Sequence, residues 1–105
     1  MVSNNLNPEY KRVIDTYTHA NEIEVVWFEN LPQNTAEYSC VLLQTPNYYC
    51  EIEQIKSVDT LLVICTDVST LSILEPVECD IIVGDIQTLG IPMSFGGPGA
   101  GFMAC

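Results

Sequence analysis

Apolar residues fall into two patterns along this chain. Tyr10, Val13, Ile14 and Tyr17 recur at helical spacing and predict a helix over 8–20. Asn7-Pro8-Glu9 marks its start, with a capping side chain, a proline at the first helical position and an acid in the first turn. Elsewhere the apolar residues run together. Ile23-Glu24-Val25-Val26-Trp27-Phe28 is β-branched and aromatic and predicts a strand. Ser39-Cys40-Val41-Leu42-Leu43-Gln44 predicts a second, closed by the turn residues Thr45-Pro46-Asn47. Leu61-Leu62-Val63-Ile64-Cys65 predicts a third, apolar throughout as a strand covered on both faces should be. A fourth is expected over 79–84. Short strands are expected at 93–95 and 101–105, around a glycine-rich turn. Residues 29–37 are polar and read as a loop, 51–58 as about two turns of helix, and 69–75 as a short helix or turn.

Apolar strands alternating with helical segments imply an α/β fold with a mostly parallel sheet. Ligands of such sheets gather at the carboxyl ends of the strands. Gln44, Asn47, Asp67, Asp85 and Gln87 are expected at that edge. The crossovers are short, however, because a parallel connection usually needs a dozen or more residues and commonly a helix. A thin covering layer follows, with exposed apolar faces and a monomer prone to aggregate.

Composition sharpens this picture. The chain has 105 residues, enough for one small domain, and 48% of them are hydrophobic. Charged residues make up only 16%, against about 25% in typical soluble domains. The apolar load suggests surface meant for a partner or for a missing piece of the same fold. Fourteen acids against three bases give a net charge of −11. That argues against nucleic acid and against anionic membranes as partners, since both are held by Lys and Arg. The five cysteines, Cys40, Cys50, Cys65, Cys79 and Cys105, include no Cys-x-x-Cys pair, and their spacing does not suit zinc. They read as small buried hydrophobes in a reducing cytosol. The N-terminal residues do not resemble a signal peptide, and no apolar run is long enough to span a bilayer, so a cytoplasmic location is expected.

The candidate chemistry lies around Gly96-Gly97-Pro98-Gly99-Ala100-Gly101. This is not a P-loop, because no Gly-Lys-Ser/Thr follows and no lysine occurs after Lys56. Nor is it a dinucleotide fingerprint, because Phe102 stands where the third glycine should be. By itself the stretch reads as a tight turn.

The run from Asp80 to Cys105, Asp-Ile-Ile-Val-Gly-Asp-Ile-Gln-Thr-Leu-Gly-Ile-Pro-Met-Ser-Phe-Gly-Gly-Pro-Gly-Ala-Gly-Phe-Met-Ala-Cys, resembles subunit 1 of glycine dehydrogenase (decarboxylating), the P-protein of the glycine cleavage system. Asn7-Pro8-Glu9-Tyr10, Gln44-Thr45-Pro46-Asn47-Tyr48-Tyr49 and Asp67-Val68-Ser69-Thr70-Leu71-Ser72-Ile73-Leu74 resemble earlier family motifs, in the family's order. The resemblance implies a pyridoxal-phosphate (PLP)-dependent transferase fold of the aspartate-aminotransferase type. Residues 1–105 would be a single partial domain, an internal segment of its large domain. Helices that family members carry between Phe28 and Ser39, and between Cys50 and Leu61, are lost or cut short in this sequence.

PLP chemistry needs a lysine for the internal aldimine and commonly an acid against the pyridine nitrogen. By resemblance Asp67 stands where that acid belongs. The lysine of the related subunit 2 falls on Gln87, and glutamine forms no Schiff base. Subunit 1 of the family lacks the lysine as well. No catalytic residue is therefore assigned, and Asp67, Gln87, Ser94, Gly96 and Gly97 are candidates for a vestigial or partner-completed cofactor site. Plain structural uses stand beside these: Asp67 as a turn cap, Gln87 as a hydrogen-bonding loop residue, and Gln44 and Asn47 as partners of turn backbone. The resemblance implies a non-catalytic chain that packs on P-protein subunit 2, serves the lipoylated H-protein through the complex, and leaves PLP to the partner subunit. The alternative is a degenerate remnant or an interaction module with no enzymatic role.

Overall fold

The apolar runs lie side by side as strands in a computed structural model that describes residues 1–55, 57–75 and 78–105. The strands are β1 (Val2–Ser3), β2 (Trp27–Phe28), β3 (Cys40–Gln44), β4 (Leu61–Cys65), β5 (Ile81–Asp85) and β6 (Gly101–Ala104). They form one sheet in the order β2-β1-β3-β4-β5-β6. Every neighbouring pair is parallel except β5 and β6. The architecture is thus the mostly parallel α/β sheet expected from the alternation of runs.

Helix α1 (Pro8–Ala20) forms where the spacing predicts it. Asn7 Oδ1 accepts from the Glu9 N–H at 2.9 Å, which satisfies one of the free donors of the first turn. Short 3₁₀ turns follow β4 at Thr70–Ser72 and β5 at Gln87–Leu89.

The sheet's two faces are covered unequally. Because side chains alternate along a strand, Val41, Leu43, Leu62 and Ile64 share one face with Phe28 and form the larger buried cluster. Val2, Leu6 and Cys65 form the other, beneath Tyr10 and Ile14 of α1. The larger cluster has no α-helix over it among the described residues. Leu31, Ile55, Val58 and Cys79, all in irregular segments, pack against it instead.

Four details differ from the sequence reading. Strand β1 was not anticipated, since its two residues are too few to show a period. The strand expected over 23–28 shortens to Trp27–Phe28, because its neighbour β1 offers only Val2 and Ser3 for pairing. No helix forms over the described residues of 51–58; Lys56 lies outside them. Asn47 explains part of this: its Oδ1 accepts from the N–H groups of Tyr49 and Glu51, and its own N–H donates to the Glu51 carbonyl at 2.8 Å. Finally, 93–95 is not a strand. The open edge of β5 is taken by β6, from Asp85 opposite Gly101 to Ile82 opposite Ala104.

Gly84 is where β5 meets the chain leaving β4. A Cβ there would stand 1.6 Å from the Thr66 carbonyl oxygen and 2.9 Å from the Phe102 ring. Backbone cannot yield as a side chain can, so Gly84→Ala should cost at least about 3 kcal/mol. The urea midpoint of the variant should fall sharply with little change of slope. An unchanged midpoint would show that β4 and β5 do not approach in this way.

Candidate functional site at the carboxyl edge of the sheet

The chain crosses from β1 to β2 on one side and continues through β3 to β5 on the other, which puts the topological switch between β1 and β3. A crevice at such a point is the usual ligand site. Here the chain's own polar groups fill it. Gln44 Oε1 accepts from the Asn7 N–H at 2.8 Å. Asn47 is buried, and its amide donates to Glu51 Oε2 at 3.1 Å and Glu53 Oε1 at 2.8 Å. The Asn5 amide reaches the same Glu53 oxygen at 2.9 Å. Gln44 and Asn47 therefore serve local structure.

The ends of β4 and β5 are more open. Thr66 donates its N–H to the Val83 carbonyl at 2.9 Å, so the loops after both strands start side by side. Asp67 Oδ1 accepts from the Ser69 N–H at 2.8 Å and the Ser69 hydroxyl at 2.5 Å, and so closes the bend that leads into the 3₁₀ turn. It also accepts from Thr88 Oγ1 at 3.1 Å, which ties the two loops together. These donors, the Ser69 hydroxyl foremost, hold its carboxyl below the ordinary value of 3.8.

Residues 86–100 link β5 to β6 at this end of the sheet. Gln87, Ser94 and Gly97 line one open pocket of about 450 Å³ there, with Ile91, Met93 and Phe95 among its walls. Asp67 and Gly96 are not lining residues. The Gly97 N–H donates to the Ser94 carbonyl at 2.7 Å, so it is spent within its own turn. The structure thus brings three of the five candidates together, joins Asp67 to them through Thr88, and leaves Gly96 outside.

One pair went unread in the sequence. The Tyr10 hydroxyl of α1 donates to Asp85 Oδ2 at 2.6 Å. That bond, followed by burial and the Asp85 charge, raises the Tyr10 phenol well above its usual value. Burial likewise pushes the Cys65 thiol up to about 11, with the Asp85 carboxylate adding to it. Tyr10 counts as an apolar position in the helical stripe, and only the fold shows its hydroxyl reaching the end of β5.

These residues do not fit a covalently held PLP. The pocket offers an amide and a hydroxyl, Asp67 lies outside it with one oxygen committed to three donors, and the Gly97 N–H is already bonded. Lys11 donates to the Asn4 carbonyl and lies 5.6 Å from the Trp27 ring centre, on the far side of the switch point.

Because its carboxyl is depressed in the fold, Asp67 favours the folded state above about pH 3.8 and loses that contribution as pH falls further. Ser69→Ala removes the strongest donor. The Asp67 carboxyl should then titrate closer to 3.8 in a carbon-detected NMR titration. An unmoved titration would contradict the Ser69–Asp67 bond.

The glycine cleavage system P-protein family model matches residues 1–105. A probable glycine dehydrogenase (decarboxylating) subunit 1 of Desulforamulus reducens is 39% identical over all of this chain and 28% of its own length. The corresponding protein of Geobacillus thermodenitrificans is 32% identical over 99% of this chain and 28% of its length. This chain therefore spans little more than a quarter of these curated relatives. The Desulforamulus alignment needs 125 positions to accommodate 105 residues, so about 20 positions of the relative have no counterpart here. A crystal structure of glycine decarboxylase (P-protein) of the glycine cleavage system, in inhibitor-bound form, superposes with a TM-score of 0.83 at 31% identity. The match covers 98% of this chain and 27% of that one. The sheet is thus part of a PLP-dependent transferase fold, and the chain belongs to the glycine cleavage system P-protein family.

Proposed function

We propose that residues 1–105 form one partial domain of a subunit 1-type P-protein chain that performs no chemistry alone. It acts by packing on subunit 2 and shaping a site whose PLP and lysine belong to that partner. The activity it serves is decarboxylation of glycine, with the aminomethyl product passed to the lipoyl arm of the H-protein, in the cytoplasm. The observation that carries this reading is the pocket beside the Asp67 loop. Its described lining offers the Gln87 amide and the Ser94 hydroxyl where a catalytic chain needs an amine.

In such an assembly Asp67 holds the two edge loops in register through Ser69 and Thr88. Gln87 and Ser94 present neutral donors and acceptors toward the shared site. Met93 and Phe95 are fully exposed at its mouth, which suits loops completed by another chain. A second reading, a remnant or interaction module without enzymatic role, draws on the roughly 20 missing positions and the bare sheet face. Among the described residues no helix is long and apolar enough to cross a membrane.

Co-purification separates the two. On the first reading the chain captures subunit 2 and restores glycine–bicarbonate exchange when PLP and lipoylated H-protein are supplied. Phe95→Asp should weaken that capture, since it sets a charge into the buried contact. Failure to bind subunit 2 would leave the second reading. Exchange by the chain alone would sink both.

A further inference from the structure

The sheet face opposite α1 carries a groove of about 890 Å³, lined by residues from 52–55 and 57–60 on one side and from 73–75 and 78–80 on the other. Ile52, Val58, Leu62 and Ile73 are among its apolar lining, and Ile73 is 82% exposed. Glu53, Glu75, Glu78 and Asp80 stand around them. The sequence of 51–60 and 73–80 holds six acids, Glu51, Glu53, Asp59, Glu75, Glu78 and Asp80, against Lys56 alone. The groove is thus apolar within, with four acids among its described lining.

We propose that this groove docks a basic amphipathic helix of a partner chain. Geometry selects a helix. The groove lies on a sheet face and offers no strand edge, so its occupant must satisfy its own backbone hydrogen bonds. An α/β sheet normally carries helices on both faces, and this face has none among the described residues. Charge selects its chemistry: a Leu- or Ile-rich stripe for the floor, flanked by Lys or Arg for the carboxylates. A second copy of this chain is a poor occupant. It also carries a net charge of −11, and Tyr10 and Ile14 of α1 already pack on their own sheet. The inference holds whether or not the chain serves glycine cleavage, because it concerns the opposite face from α1 and none of the edge residues discussed above except Glu53.

The test uses the 105-residue chain and two fluorescent helical peptides with one Leu stripe, one flanked by Lys and Arg, the other by Glu. The basic peptide should bind, less tightly as salt rises, and the acidic one should not. Reversing two of the lining acids with Glu75→Lys and Glu78→Lys should weaken binding about tenfold. Glu22→Lys with Glu24→Lys changes net charge equally, beyond the end of α1, and should leave binding as it was. Ile73→Asp, at an exposed position, should abolish it without unfolding the chain. Equal loss from both charge pairs would mean diffuse attraction to an acidic protein and would overturn the proposal. So would equal binding of both peptides, or concentration-dependent self-association that Ile73→Asp relieves, which would assign the face to a second copy.

Discussion

The close approach of β4 and β5 is the contact on which the candidate site depends. Thr66 donates its N–H to Val83, and Gly84 lies so near the Thr66 carbonyl that only a residue without a Cβ is accommodated. From that approach the Asp67 loop and the 86–100 link leave the sheet side by side. The Val68 N–H then reaches the Asp85 carbonyl at 3.3 Å, and Thr88 reaches Asp67. Tyr10 adds a strut from α1 to Asp85. The edge loops are thus held by strand register, by one side chain between them and by one from the helix.

A second constraint is the imbalance between the faces. One is shielded by α1 and the other by irregular segments that drop Leu31, Ile55 and Val58 onto the strands. Such segments exclude water from the centre of the sheet, where Val41 and Ile64 are fully buried, but leave Ile52 and Ile73 in solvent. A lone domain so covered is marginal, and its apolar surface favours assembly. On the two proposals above, completion by another chain at the edge loops and over the bare face would be the same physical theme at two sites.

Much of this was legible in the residues. The continuous apolar runs at 61–65 and 39–44 announce buried parallel strands, and Asn7-Pro8-Glu9 announces α1 to the residue. The glycine turn and Gln87 carry the resemblance to the P-protein, which the match over residues 1–105 bears out. Other features depend on contacts that no local pattern encodes. Strand β1 forms only because β2 and β3 flank it, and the helix expected over 51–58 loses to the hydrogen bonds of Asn47. The hydroxyl of Tyr10 and that of Thr88 join the edge through partners 75 and 21 residues away.

The central claim is that cofactor chemistry in the assembled protein lies on the partner and not on this chain. Borohydride reduction of the chain reconstituted with subunit 2 and PLP, followed by mass mapping of the pyridoxyl label, tests it most directly, because reduction freezes an imine on the lysine that formed it. The label is expected on a lysine of subunit 2 alone. A stoichiometric label on Lys11 or Lys56 of this chain would contradict the account.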